Sequence, residues 1–251
     1  MSSSEPSLTP SAGSEPRAPG PLPRSLLALS WGCRAAWANV GLRPFLATLA
    51  SVVLALAGVA TIARYFARDG AVDATVSIAL GLGLPLATFN LVRRATCSEN
   101  ISLVLVPFGR IGCSRRALAI GVFLGTATLA LVVALASLGV ALAVAYRETP
   151  GFLADLVTSS RVAALGAGAY ASLFLLGTSY FKRGRGMWLV LALDLLLGGG
   201  ASAISAPFPR AHLTSLGGGE AVLGLSQRQS SAALAMVGLL ALLWLVARAR
   251  D

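Results

Sequence analysis

Apolar and polar positions follow each other along this chain in long blocks rather than in short periods. Six apolar blocks run from Pro44 to Ile62, Val76 to Val92, Ala117 to Tyr146, Val162 to Phe181, Met187 to Ile204 and Ala232 to Val246. Each approaches or exceeds the roughly 20 residues that a helix needs to cross hydrocarbon, the last being the shortest. The pattern predicts an all-α polytopic membrane protein, with six transmembrane helices over residues 44–251. The Ser-, Pro- and Glu-rich residues 1–24 could form no core and are expected to be a disordered cytoplasmic tail. No long apolar run begins before Phe45, so no signal peptide is expected and the first span should be retained as an anchor. Across 25–43, Leu26, Leu29, Cys33, Trp37 and Val40 recur at helical spacing, with Ser30 and Arg34 on the other face. That spacing predicts a short amphipathic interfacial helix, or an extension of the first span, and Gly32 and Gly41 weaken it.

Basic residues orient the blocks, because cytoplasmic loops retain Lys and Arg. Arg17, Arg24, Arg34, Arg43, the five arginines between Arg93 and Arg116, Lys182, Arg183, Arg185, Arg248 and Arg250 fall on one side, and Arg64, Arg68, Arg147, Arg161, Arg210 and Arg228 on the other. The split of the 20 basic residues is 14 to 6, which places both termini in the cytoplasm. Five acids, Asp69, Asp73, Glu148, Asp155 and Glu220, lean to the outer side. With 56% apolar and 12% charged residues, the composition excludes a soluble domain of this length. The net charge of +10 is scattered over span boundaries rather than gathered on a binding platform, so it reads as membrane anchoring and not nucleic-acid binding. Cys33, Cys97 and Cys113 all lie in segments assigned to the cytoplasm, where thiols stay reduced, and His212 lies opposite. Neither a disulfide nor a metal site is expected from them.

Inside the spans a few residues break the apolar pattern. Gly81, Gly83 and Pro85 predict a kink that either lines a cavity or fits a neighbouring helix. Gly121 and Gly125 make a small-xxx-small face for close approach of another helix, internal or from a second copy. Asp194 is the one acid within a span, and such a carboxylate must face protein or water or be protonated. It belongs either to a substrate or proton pathway or to a packing contact with a hydroxyl such as Ser172, Thr178 or Tyr170. The segment 206–230, rich in Pro and Gly, forms outer re-entrant helices or a mobile loop. An intramembrane enzyme would need a buried serine with a base, or two facing acids, and Asp194 stands alone. The pairs His212 with Ser215 and Asp69 with Asp73 read as solvated polar residues. A non-transporting membrane scaffold or assembly subunit fits the same composition.

The stretch from Arg93 to Arg116 differs from every other loop. Its apolar run, Ile101 to Phe108, is too short to span and must be covered by the membrane interface, by the domain itself or by a docked protein. Arg93, Arg94, Arg115 and Arg116 sit at span ends, whereas Arg110 lies between two glycines away from either span. The loop reads Glu99-Asn-Ile-Ser-Leu-Val-Leu-Val-Pro107-Phe-Gly-Arg110-Ile-Gly-Cys-Ser-Arg115-Arg116-Ala-Leu-Ala-Ile-Gly121. With the interfacial helix and six spans, it resembles the type-2 permeases of ATP-binding-cassette (ABC) exporters, in which the matching loop carries a glutamate, an apolar helix, a proline and a serine-arginine step. The chain departs from that pattern at Val122, where a lysine often stands. The resemblance implies a permease subunit in a bacterial inner membrane, working with a second permease copy as a homodimer or heterodimer. It further implies that Glu99, Pro107 and Arg110, with Arg115 and Arg116 as lesser members, couple the loop to a separate cytoplasmic ABC ATPase. The chain itself has no Gly-x-x-x-x-Gly-Lys-Ser/Thr loop, so ATP would be hydrolysed by that partner and no cofactor is expected here.

Overall fold

The computed structural model describes residues 24–66, 70–110, 112–146 and 151–249. The tail expected over 1–24 lies outside the described residues except for Arg24, as do Arg68, Asp69, Arg147, Glu148, Arg250 and Asp251. The described residues are helical, with no strand among them: α1 Arg24–Val40, α2 Leu42–Phe66, α3 Ala71–Ile78, α4 Leu84–Ala95, α5 Ile101–Arg110, α6 Arg115–Ala145, α7 Phe152–Thr178, α8 Gly186–Leu197, α9 Pro209–Leu216 and α10 Gln227–Arg248. Among the described residues, five helical stretches are long and apolar enough to cross a membrane: α2, the run Ala71–Ala95 holding α3 and α4, α6, α7 and α10.

The predicted span Met187 to Ile204 takes a different form. Its helix, α8, stops after 12 residues, where Gly198, Gly199 and Gly200 follow in turns. Glycine gains least from helix formation, and the run lets the chain fold back towards α9. The 206–230 segment then holds α9 and a single turn of 3₁₀ helix at Val222–Gly224. Ala211, His212, Leu213 and Ser215 of α9 are all buried against neighbouring helices. His212 and Ser215, expected to be solvated, are thus covered.

Helix α1 ends at Gly41, whose φ of +70° turns the chain into α2. It lies along the first half of α6 at glycine-to-glycine distance. A Cβ on Gly32 would overlap the carbonyl oxygen of Leu118, and one on Gly121 would overlap that of Leu29. The Trp37 indole donates to the Gly125 carbonyl at 3.1 Å. The small-xxx-small face of α6 is therefore filled from within the chain. The face of α1 turned to α6 carries Ala28, Gly32 and Ala36, while Leu26 and Trp37 of the expected apolar stripe are exposed.

Between α3 and α4 the residues Ala79–Gly83 form a π-helical turn, and the Leu84 N–H bonds to the Ala79 carbonyl. Pro85 follows directly; its missing N–H could not have continued the α-helical ladder to Gly81. Gly81 faces Thr214 of α9 and Gly83 faces Leu56 of α2, so the irregular turn is a packing junction. Below it, α2 and α4 diverge around an apolar groove of ≈ 350 Å³ that Thr48, Ser51 and Asn90 mark with polar groups. Asn90 donates to Thr48 there at 2.8 Å.

Segments of like charge class meet at common ends of the bundle. Asn39 donates to the Ala95 carbonyl at 2.9 Å, and Arg248 to the Ser179 carbonyl at 3.3 Å. At the other end Arg64 reaches the Val144 carbonyl at 3.3 Å, and Tyr146 hydrogen-bonds to Asp155.

Candidate functional site

Helix α5 is the apolar run of the distinctive loop, and its two faces divide the work of covering it. The Asn100 side-chain oxygen accepts the Ser102 N–H at 2.9 Å and so caps the first turn. Ile101 and Leu105 are buried against α6. Phe108 meets Trp31 of α1 edge-on, with ring centroids 6.3 Å apart. The opposite face carries Ser102, Leu103, Pro107 and Arg110, all exposed, with exposed Glu99 just before the helix. At helical spacing, positions 99, 103, 107 and 110 share that face. Leu103 is 61% exposed, and neither Glu99 nor Arg110 has a side-chain partner among the described residues.

Glu99, Pro107 and Arg110 are thus brought together on one surface. Arg116 is exposed beyond them, and half-buried Arg115 folds across the end of α5, where a Cβ on Gly109 would come within 2.7 Å of its Nε. Ser114 caps α6 by accepting the Ala117 N–H at 3.4 Å, which sets Arg115 and Arg116 in the first turn. Cations are disfavoured at a helix N-terminus by a few tenths of a kcal/mol, so the serine cap offsets a local electrostatic cost.

The turn between α7 and α8 forms a second wall that the sequence reading did not place at the site. A surface recess of ≈ 670 Å³ lies between Glu99, Ser102 and Leu103 on one side and Phe181, Lys182 and Arg183 on the other. Asn100 spans the gap, its amide donating to the carbonyls of Ser179 at 3.2 Å and Phe181 at 3.4 Å. Gly184, with a φ of +58°, backs onto Glu99, whose carbonyl oxygen would lie 3.0 Å from a Cβ there. Arg248 of α10 stacks over the Tyr180 ring at 4.4 Å. Four non-glycine residues hold left-handed backbone in the two facing turns: Cys97, Ser98, Phe181 and Arg183. Each such residue costs on the order of 1 kcal/mol or more. An asparagine directly before an apolar run is a readable N-cap signal for α5; nothing local indicates that the 179–185 turn lies opposite.

Asp194 sits apart from this surface, 1% exposed in α8. Tyr170 of α7 donates to one carboxylate oxygen at 2.9 Å, and the backbone N–H of Arg210, in the first turn of α9, donates to the other at 3.3 Å. The Arg210 guanidinium bonds the Leu195 carbonyl at 2.7 Å. The carboxylate therefore closes the N-terminus of α9 against α7 and α8, where the helix dipole favours a negative group. Beside it, Tyr170 stacks on Phe174 at 5.5 Å, and Phe174 meets Phe89 edge-on. Of the three thiols, Cys97 is exposed and Cys33 and Cys113 are half-buried, all free. Among the described residues, no group of three His, Cys, Asp or Glu side chains could hold a metal ion.

The arrangement offers an amphipathic helix with an unpartnered outward face, set in a basic end of a bundle of apolar helices. No family model, no curated protein and no solved structure matches this chain.

Proposed function

We propose that this chain is the membrane-spanning permease subunit of an ATP-binding-cassette exporter, driven by a separate cytoplasmic ATPase that docks on α5. The observation that carries the reading is the outward face of α5, where Glu99, Leu103, Pro107 and Arg110 are exposed together while Ile101 and Leu105 hold the helix to the bundle. A short helix anchored on one side and presenting apolar and charged groups on the other suits a docked protein partner. Five arginines of the loop and the three basic residues of the 179–185 turn supply a surface complementary to an acidic partner.

In this reading both termini face the cytoplasm of a bacterial cell and the membrane is its inner membrane. Six elements enter the bilayer: the five long helices, and α8 with the fold-back to α9 as the sixth. At 1.5 Å per residue, the 12 residues of α8 cover about 18 Å, so 198–226 would complete the outer half of that crossing. Two permease copies, identical or not, enclose the pathway, and alternating access moves substrate outward.

Co-purification with the product of a neighbouring ATPase gene tests the docking. The ATPase is expected to bind the wild-type chain in nanodiscs, and Arg110→Glu to weaken binding at least tenfold. Absence of binding, or binding indifferent to the charge reversal, overturns the reading. Stimulation of ATP hydrolysis by a candidate substrate separates a transporter from a membrane scaffold.

A further inference from the structure

Asn100 uses the two ends of one side-chain amide on two different elements. Its oxygen caps α5 through the Ser102 N–H, and its NH2 group holds the carbonyls of Ser179 and Phe181 in the turn that leads into α8. No other side-chain hydrogen bond joins these two segments among the described residues. The Glu99 backbone presses on Gly184 beside it, so the two turns also touch through main chain. Both turns carry left-handed non-glycine backbone, at Cys97 and Ser98 on one side and Phe181 and Arg183 on the other. Strain that persists at one contact between two elements is the sign of a surrounding structure that fixes both.

We propose that Asn100 is a positioning residue that transmits displacement of α5 to the 179–185 turn, and so to the start of α8. The proposal rests on the reading of α5 as the docking face of a cytoplasmic ATPase. It separates docking, which belongs to the outward residues Glu99, Leu103 and Arg110, from transmission, which belongs to the half-buried Asn100.

Capping and clamping come apart by substitution. Asn100→Asp retains an oxygen for the Ser102 N–H, and aspartate caps as well as asparagine. It has no N–H to give to two carbonyls and turns a charged oxygen towards them, so the clamp is broken while the cap is kept. A residue that served merely to cap α5 would tolerate the change.

Hydrogen exchange of the full-length chain in nanodiscs reads the effect. In Asn100→Asp, amides of 179–185 are expected to exchange at least tenfold faster, with 101–110 protected as in wild type. Leu105→Phe, which overpacks the contact of α5 with α6, serves as a displacement that needs no partner. It is expected to raise exchange at 179–185 at least threefold in the wild-type background and less than 1.5-fold in Asn100→Asp. Equal effects in both backgrounds, or unchanged exchange in Asn100→Asp, overturn the proposal. With the ATPase present, Asn100→Asp is expected to bind within twofold of wild type but to lose at least fivefold of its stimulation of ATP hydrolysis. A parallel loss of binding would assign Asn100 to the docking contact itself and overturn transmission. Should the wild-type chain bind no ATPase, the docking reading falls while the exchange measurements still decide whether Asn100 couples the two turns.

Discussion

The buried carboxylate of Asp194 is held by one hydroxyl and one backbone N–H, and substitutions separate its charge from its hydrogen bonds. Asp194→Ala would strand the buried Tyr170 hydroxyl and the part-buried Arg210 N–H, and is expected to destabilise the fold by about 2 to 3 kcal/mol. Asp194→Asn keeps an oxygen and the side-chain volume, and is expected to cost about 1 kcal/mol. Denaturant unfolding in detergent micelles, followed by tryptophan fluorescence, measures both; equal losses would show that the charge rather than the bonding matters. The acid and its partner hydroxyl were legible in the sequence, since a lone carboxylate in an apolar block must find donors and Tyr170 was among the few within reach. The Arg210 N–H was not, because a backbone donor belongs to no residue type and comes into range only when the chain folds back after Gly200. For the same reason the burial of His212, whose ring accompanies α9 into the bundle and bonds the Ala206 carbonyl at 2.8 Å, had no local signal.

Among the elements, the contact of α1 with α6 is the tightest and the most exposed to a one-atom test. Gly32→Ala or Gly121→Ala adds a methyl group where a backbone carbonyl already stands, so the helices must separate, at a cost of about 2 kcal/mol or more. Gly58→Ala and Gly139→Ala meet nothing within 4 Å and are expected to be neutral or to stabilise by up to about 1 kcal/mol through helix propensity. Thermal unfolding of the four variants gives the comparison; equal shifts would refute close packing at the glycines. The glycine face of α6 was readable, whereas the apolar spacing of α1 marked a stripe for the membrane interface and left its protein-facing side unnamed. A leucine or tryptophan facing lipid loses nothing relative to one facing protein, so apolar spacing marks the membrane and small residues mark the contact. Ala28, Gly32 and Ala36, one turn apart, carried that second signal. The glycine run after α8 was equally visible, yet glycine is common inside membrane helices, and only the fold-back to α9 distinguishes a stop from a continuation.

For the whole molecule, block length and arginine placement made most of the architecture legible: among the described residues five apolar stretches are long enough to cross, and segments of like charge class share an end. The proposed orientation is tested with single cysteines in a chain lacking the native three. Cysteines at Ser98 and Arg183 should react with a membrane-impermeant maleimide only after the cell is opened, and those at Ser202 and Glu220 before; the reverse pattern would invert the topology. The candidate docking surface was half legible, since its α5 face follows from one continuous stretch while Phe181, Lys182 and Arg183 arrive from 80 residues further on. Sequence distance also bears on how the molecule is made. The hydrogen bond from Trp37 to Gly125 joins residues 88 apart, and α1 emerges from the ribosome long before the half of α6 that receives it. At 5–20 residues per second the interval is roughly 4 to 18 s. During that time the Ala28, Gly32 and Ala36 side of α1 has no partner, so the glycine contact that seats α1 closes only after the first half of α6 has been made.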